Sequence, residues 1–255
     1  AGTGMVAQQM NLDTIANNLA NVNTTGYKAQ RAEFQDLMYQ TYRASGASSQ
    51  GSASQPVAMQ IGLGSQFSTT STSFSVGGAV QSSDPFSLMI SGDGFFEIDL
   101  PDGTKAYTRD GSFKRDAEGS LVTANGYRVS GDIRIDAGVT EITVMPDGTV
   151  SGRLPGQNEA SVLGNIQIAV FSNPAGMTRT GQNLYLPGGA SGDAKLVTPG
   201  TEGSGSLLSG MLESSNVQIV EEMVRMITAQ RAYEINSKAI QTADDMLALM
   251  NQLMR

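Results

Sequence analysis

Carboxylates are nearly all that this chain offers for acid–base or metal chemistry: it has 24 Asp and Glu but no His and no Cys. Without Cys there is no thiolate nucleophile, disulfide or Cys-based zinc site, and without His the commonest general base and metal ligand is missing. Asp110, Ser112, Lys114 and Asp116 alternate as calcium-loop ligands do. Lys114, however, puts a cation at a ligand position, and no Glu closes a twelve-residue loop, so turn chemistry is the better reading. Ser91-Gly92-Asp93-Gly94 has the glycines of a phosphate-binding turn, but neither G-K-S/T nor G-x-G-x-x-G spacing follows. A carboxylate pair able to cleave a glycoside is the remaining option, yet spacing nominates no pair, and acids beside Gly mark turns. No catalytic, cofactor-binding or metal-binding residue is assigned, no cofactor is expected, and the chain does not read as an enzyme.

Composition narrows the class further. A length of 255 residues allows one large or two small domains with a sizeable core. The net charge of -8 and pI of 4.5 argue against nucleic acid, whose phosphates need clustered Lys and Arg. No apolar run reaches the roughly 20 residues that span a bilayer, so no membrane insertion is expected. Ala1-Gly2-Thr3-Gly4-Met5 does not resemble a cleavable signal peptide. The initiator Met is lacking, and a few residues are expected to precede Ala1.

The elements are legible from apolar spacing. Ile219, Met226, Tyr233, Ile240, Leu247 and Met254 recur at every seventh position, predicting one helix over residues 215–254. That helix would be about 60 Å long, and a stripe of this length calls for a coiled-coil-like partner. The row three residues on, Glu222, Ala229, Asn236, Ala243 and Met250, is small or mixed, so the seam is irregular and Met fills its gaps. Glu221 with Arg225 and Glu234 with Lys238 are spaced as i,i+4 ion pairs. The plainer alternative is an ordinary core helix of one domain. At the N-terminus Met5, Leu12 and Leu19, with Ile15 and Val22 beside them, draw a second apolar face on an amide-rich helix, with Gly26 as its stop. Phe34, Leu37, Met38 and Tyr42 predict a further helix within residues 29–42.

Residues 45–60 are Ser, Ala, Gln and Gly with almost no apolar content, which reads as a flexible linker. From Phe67 to Leu208 short alternating runs, such as Phe95 to Leu100 and Ile166 to Val170, predict half-buried strands. Asp-Gly pairs at 93, 102, 110 and 147, with Asn125-Gly126, supply hairpin turns. The expected class is α+β: N- and C-terminal helices pair as a coiled-coil-like layer around an inserted antiparallel all-β domain. The expected boundaries are 1–44 (helical core segment), 45–66 (Ser/Gly/Gln-rich stretch), 67–208 (β domain) and 209–255 (long helix).

Four segments are recognisable. Ala16-Asn17-Asn18-Leu19-Ala20-Asn21-Val22-Asn23-Thr24-Thr25-Gly26-Tyr27-Lys28 resembles the N-terminal signature of the bacterial flagellar rod and hook proteins. Gly92-Asp93-Gly94-Phe95-Phe96, Tyr107-Thr108-Arg109-Asp110-Gly111-Ser112-Phe113, and Ser215-Asn216-Val217 through Gln230-Arg231-Ala232-Tyr233 to Ala239 resemble three more. The resemblance covers essentially the whole chain. Its size, single β insert and Leu37-Met38-Tyr39-Gln40-Thr41 followed by a Ser-rich stretch are most similar to the distal rod branch.

The resemblance implies a structural subunit of the flagellar basal body that self-assembles into a helical tube, the drive shaft carrying torque from motor to hook. It implies that the terminal helices form an inner layer around an axial channel, with Leu12, Ile15, Leu19, Val22, Ile219, Met226, Tyr233, Ile240, Leu247 and Met254 making subunit contacts. Asn17, Asn18, Asn21, Thr25, Gly26, Tyr27, Gln230, Arg231, Ala232 and Tyr233 are the matching motif residues. The implied partners are copies of the chain, proximal rod proteins, hook or hook-junction subunits, surrounding bushing rings, the export apparatus and the rod cap. Export without a cleaved signal, a place in the distal rod across a Gram-negative periplasm, and a tube-stiffening role for residues 45–66 are also implied. The family begins several residues before Thr3. Alternatives are a proximal rod or hook-type paralogue, a secreted β-rich adhesin on a coiled-coil stalk, or an enzyme acting on cell-wall polymer.

Overall fold

Helices stand at both ends of the chain with β structure between them, in a computed structural model that describes residues 2–43, 58–131, 133–135, 138–139, 141–153 and 160–253. The chain divides into two units. The first comprises Ala1–Leu19, Gln30–Ser71 and Ile219–Arg255, and the second Ala20–Ala29 and Thr72–Gln218.

The first unit holds α1 (Gly2–Ala20), four strands and the 35-residue α2 (Ile219–Leu253). The strands are β1 (Gln30–Asp36), β2 (Tyr39–Arg43), β3 (Met59–Gly62) and β4 (Ser65–Thr72). β1 pairs with β4 and β2 antiparallel with β3. Leu37 N to Gly64 O and Leu63 N to Met38 O join the two ladders into one long ribbon. This corrects the helix expected within 29–42. The same residues also carry period two, with Gln30 and Ala32 half-buried and Arg31 and Glu33 exposed, and the Thr-rich β4 offers a ladder that local helical spacing cannot match. Phe34 meets Phe67 edge-on across it, with centroids 6.2 Å apart. Most of the Ser-rich tract, residues 44–57, lies outside the described residues.

On α2, burial falls on the second heptad row. Glu222 and Ala229 are its buried residues and Asn236 is half-buried, while Ile219, Tyr233 and Leu247 of the large apolar stripe are exposed. Small residues win that face because they admit close approach: a Cβ on Gly4 of α1 would lie 3.2 Å from the Asn236 amide nitrogen. Glu221 pairs with Arg225 at 2.5 Å as spaced, but Glu234 pairs with Arg231 and leaves Lys238 without an ion pair among the described residues.

The second unit contains β5 (Ala79–Gln81), β6 (Leu88–Ser91), β7 (Phe95–Asp99), β8 (Lys105–Thr108), β9 (Lys114–Arg115), β10 (Leu121–Val122), β11 (Arg128–Val129) and β12 (Glu141–Val144). It continues with β13 (Thr149–Arg153), β14 (Ser161–Asn165), β15 (Ile168–Val170), β16 (Thr178–Gly181), β17 (Leu184–Leu186), β18 (Lys195–Val197), β19 (Ser206–Ser209) and β20 (Met211–Glu213). The main sheet has nine strands; seven run β16-β17-β8-β7-β11-β10-β9, and β15 joins β18 to β7. β12, β13 and β14 form a second sheet, and β6 with β19 and β5 with β20 make two further pairs.

Leu100-Pro101-Asp102-Gly103-Thr104 and Met145-Pro146-Asp147-Gly148-Thr149 make the same hairpin turn from the same Pro-Asp-Gly-Thr core. Gly103 N donates to Leu100 O and Gly148 N to Met145 O, each at 3.0 Å. Pro presets the first turn position, Gly takes φ of +81° and +88°, and each Asp accepts from the Thr two residues on, as such turns require. Those bonds from Thr104 and Thr149 hold both carboxyls below the usual range. The pairs at 93 and 110 do other work: Asp93-Gly94 links β6 to β7. At Gly111 the chain crosses so close that a Cβ would lie 1.6 Å from the Leu88 carbonyl oxygen.

β7 is buried on both faces, against the half-buried expectation. Phe96 and Ile98 enter a cluster with Leu88, Ile90, Phe113 and Ile168, while Phe95 enters another with Tyr107, Phe171 and Tyr185. Glu97 shares the second face because it is paired: it accepts from Lys105 at 2.9 Å and Tyr107 at 3.2 Å. Burial pushes its carboxyl up, but hydrogen bonds from Lys105, Ser130 and Tyr107 outweigh that and hold it below its ordinary value.

Candidate functional site

Three charges from distant parts of the sequence meet inside the second unit. Lys28 Nζ donates to Glu213 Oε1 at 2.5 Å and to the Ser75 carbonyl at 2.7 Å. Arg109 Nη1 lies 3.5 Å from Glu213 Oε2, and its Nη2 donates to the Gly92 carbonyl at 2.8 Å. All three residues are at most 2% exposed. Burial pushes the Lys28 ammonium and the Arg109 guanidinium below their ordinary values, with Glu213 opposing it in both cases. The guanidinium also lies over the Phe95 ring, 5.1 Å from its centroid. A cluster like this needs every member, because removing one partner strands another buried charge.

The neighbouring groups complete a clasp. Gly26 N donates to the Glu213 carbonyl at 2.8 Å. Gly26 has φ +65° and a Cβ there would sit 2.6 Å from Arg109 C and Asp110 N, so backbone approach, rather than a helix stop, demands glycine. Thr25 Oγ1 donates to Asp110 Oδ1 at 2.9 Å, and Ser112 donates to the same oxygen through N and Oγ. The segment with calcium-like spacing is therefore a hydrogen-bonded turn. Asn216 stitches three strands of chain, accepting from Ala29 N at 2.7 Å and donating to the carbonyls of Ser73 and Ser75. Arg179 donates to the Lys28 carbonyl and lies over Tyr27 and Tyr185. Gly92 and Phe95, Arg109 to Ser112, Thr25 to Lys28, and Asn216 come from the four recognisable segments, and they form one site.

The remaining motif residues, most of them in the first unit and Asn21 and Tyr27 in the second, have separate duties. Asn18, 1% exposed, accepts from Gln30 N at 2.9 Å and donates to Gln30 O at 2.7 Å. Its amide thus stands in for one more peptide of the β1 ladder. Asn17, Gln230, Arg231 and Tyr233 are exposed, Ala232 and Asn21 half-buried, and Tyr27 buried. Of the apolar positions expected at subunit contacts, Ile15 is buried and Leu12, Leu19, Val22, Met226 and Ile240 are half-buried. Ile219, Tyr233 and Leu247 are 48%, 40% and 58% exposed, and Met254 lies outside the described residues.

Much apolar surface is uncovered in the first unit. Ile219, Val220, Met223, Val224 and Ile227 are all exposed and, with Met226, cover an arc of about 160° on α2 at 100° per residue. Every described residue from 241 to 253 is exposed. The ribbon adds Phe34, Met38, Tyr39, Tyr42, Met59, Ile61 and Leu63. Contiguous exposed apolar surface on this scale marks contact with another macromolecule. Lys28, Arg109, Glu213, Asn216 and Arg179 were not singled out from sequence. Lys28, Arg109 and Asn216 stand inside recognised motifs, but an ionic or amide residue gives no sign in sequence of whether it is solvated or buried.

Comparison with known proteins follows the same segments. Residues 1–28 match the family described as "Flagella basal body rod protein", residues 89–152 the "Flagellar hook protein FlgE/F/G D1 domain", and residues 208–253 the "Flagellar basal body rod FlgEFG protein C-terminal". Each matched stretch contributes one charge of the clasp. The chain is 49% identical over 257 residues to the flagellar basal-body rod protein FlgG of Borreliella burgdorferi, covering 100% of this chain and 97% of that protein. It is 44% identical to FlgG of Caulobacter vibrioides and 41% identical to FlgG of Bacillus subtilis, each over 99% of this chain and 97% of the relative. Full-length identity at this level, with all three family segments in order, shows that the chain belongs to the FlgG family of flagellar basal-body rod proteins.

Proposed function

We propose that copies of this chain polymerise into the helical, tubular distal rod that carries torque from motor to hook. As a FlgG-family member the chain is a structural subunit of the flagellar basal-body rod. The observation that carries the finer reading is the apolar surface of α2 and the ribbon, uncovered in a chain whose second unit has a dense core. Such surface is stabilised when a neighbour covers it. At about 25 cal/mol per Å², a few hundred Å² per contact contributes several kcal/mol before ordering costs.

In this reading α1 and α2 form a coiled-coil-like layer with their copies around an axial channel. One face of each subunit binds a different face of the next, so the contact does not close and a tube results. Residues 45–66 pack between subunits and stiffen the tube. The chain passes through the flagellar export apparatus without a cleaved signal and is placed under a rod cap. Its further partners are proximal rod proteins, hook or hook-junction subunits and the bushing rings.

Electron microscopy of basal bodies from cells lacking the gene tests this. Inner rings with a short proximal rod, and no outer shaft or hook, are expected. An intact shaft lacking only its hook would overturn the distal rod assignment. Deleting residues 45–60 should yield a more bendable tube; an unchanged straight rod would rule out the stiffening role.

A further inference from the structure

The chain has 13 Met but no Cys and no Trp, so its thioethers are the groups that a peroxide oxidises first. They are spread unevenly: nine of the 13 fall in the first unit, the smaller of the two. On the ribbon Met38 is 80% and Met59 58% exposed, and on α2 Met223 is 50%, Met246 62% and Met250 57% exposed. Of the four Met in the second unit, Met145 alone is exposed, while Met89 and Met177 are at most 9% exposed. Met223 lies in the apolar arc of α2, and Met246 and Met250 lie on its fully exposed end.

Exposure decides the chemistry. A thioether in solvent attacks one oxygen of hydrogen peroxide with its lone pair: the S–O bond forms as the O–O bond breaks, and the sulfur loses two electrons. The departing hydroxide takes the proton of the transferred oxygen and leaves as water. The sulfoxide is polar where the thioether was apolar. At an exposed position this costs the folded monomer little, but it puts a polar group where a neighbour would have to bury it. A sulfoxide in solvent is also within reach of a thiol-dependent methionine sulfoxide reductase, which restores the thioether.

We infer that Met38, Met59, Met223, Met246 and Met250 form a reversible peroxide-modification site: their oxidation bars the unassembled chain from the polymer, and neighbours shield them once the rod is built. This inference rests on the reading of the chain as a self-assembling rod subunit. The test applies hydrogen peroxide to the purified full chain and to isolated basal bodies, and follows oxygen uptake at each Met by peptide mass spectrometry. In the purified chain the five should oxidise at least tenfold faster than Met89 and Met177, and in basal bodies the three on α2 should slow at least tenfold. Equal rates in either comparison would overturn the inference. A second readout is a chain carrying Met223→Gln, Met246→Gln and Met250→Gln, which places an uncharged polar side chain of similar length at each position. Supplied as the sole copy in a flagellated host, it should give at least tenfold fewer rods by electron microscopy, with the monomer's melting temperature unmoved. Normal rods, or rods lost together with monomer stability, would also overturn the inference, whereas a wild-type chain that forms no rods would instead overturn the rod reading.

Discussion

The two units of this chain spend their apolar residues in opposite ways. Among the described residues of the first unit, the buried apolar side chains are Ala7, Ile15 and Ala229, two of them only a methyl group. The second unit buries Phe95, Phe96, Ile98, Phe113, Ile166, Ile168 and many others, on both faces of one sheet. One unit is built around a dense core; the other leaves most of its apolar surface uncovered, where, under the proposed polymer, neighbours would cover it. The difference shows why both sorts of unit belong in one polymer subunit. In the proposed polymer, a body that holds its shape during assembly would keep the clasped segments in register, and the uncovered helix and ribbon would carry the free energy of association.

Glu213→Ala should break the contrast most severely, stranding Lys28 and Arg109 and costing the second unit about 3–5 kcal/mol, read by thermal melting of the monomer. A loss under about 1 kcal/mol would mean that the clasp is not the keystone of that unit. Gly26→Ala comes next, at about 2–3 kcal/mol, because positive φ and a backbone clash act together. Gly126→Ala is its control: φ is +85° but a Cβ there meets nothing, so about 1 kcal/mol is expected. Equal losses at the two positions would refute the close-approach account.

Alkaline pH sharpens the comparison further. Burial first, then the charge of Glu97 and its hydrogen bond, pushes the Tyr107 phenol up to about 12 from an ordinary 10.0. The unfolded chain then releases its proton first, and stability falls as pH rises from 10 to 12. Tyr107→Phe should flatten that limb in denaturant titrations; an unchanged slope would exclude the phenol as its source. The smallest monomer effect belongs to the first unit. Ile235→Ala on α2, where the side chain is 67% exposed, should change monomer stability by less than about 0.5 kcal/mol and still reduce rod formation. A large monomer loss would mean that α2 is covered within its own subunit.

Legibility from sequence followed the same divide. The seven-residue repeat revealed α2 because helical periodicity is a local property; which residues pack within one copy was not legible, since Glu222 and Ala229 are buried while Ile219, Tyr233 and Leu247 of the stripe stay exposed. The strands of residues 30–43 were misread because helical and alternating spacing overlap there, and β4, about thirty residues away, decided between them. The hairpins at Pro101 and Pro146 were legible since each turn is built from its own four residues. The clasp was invisible, for nothing in Lys28 or Glu213 tells that 185 residues away the other waits.

By itself, then, the sequence determined the helix–sheet–helix order, the turns, the absence of His and Cys chemistry and the family, all of which reside in short segments or in composition. Only the tertiary structure decided which charges are buried, which asparagine substitutes for a peptide, and which face of α2 stays exposed. Those depend on desolvation and close approach, which arise when distant segments meet.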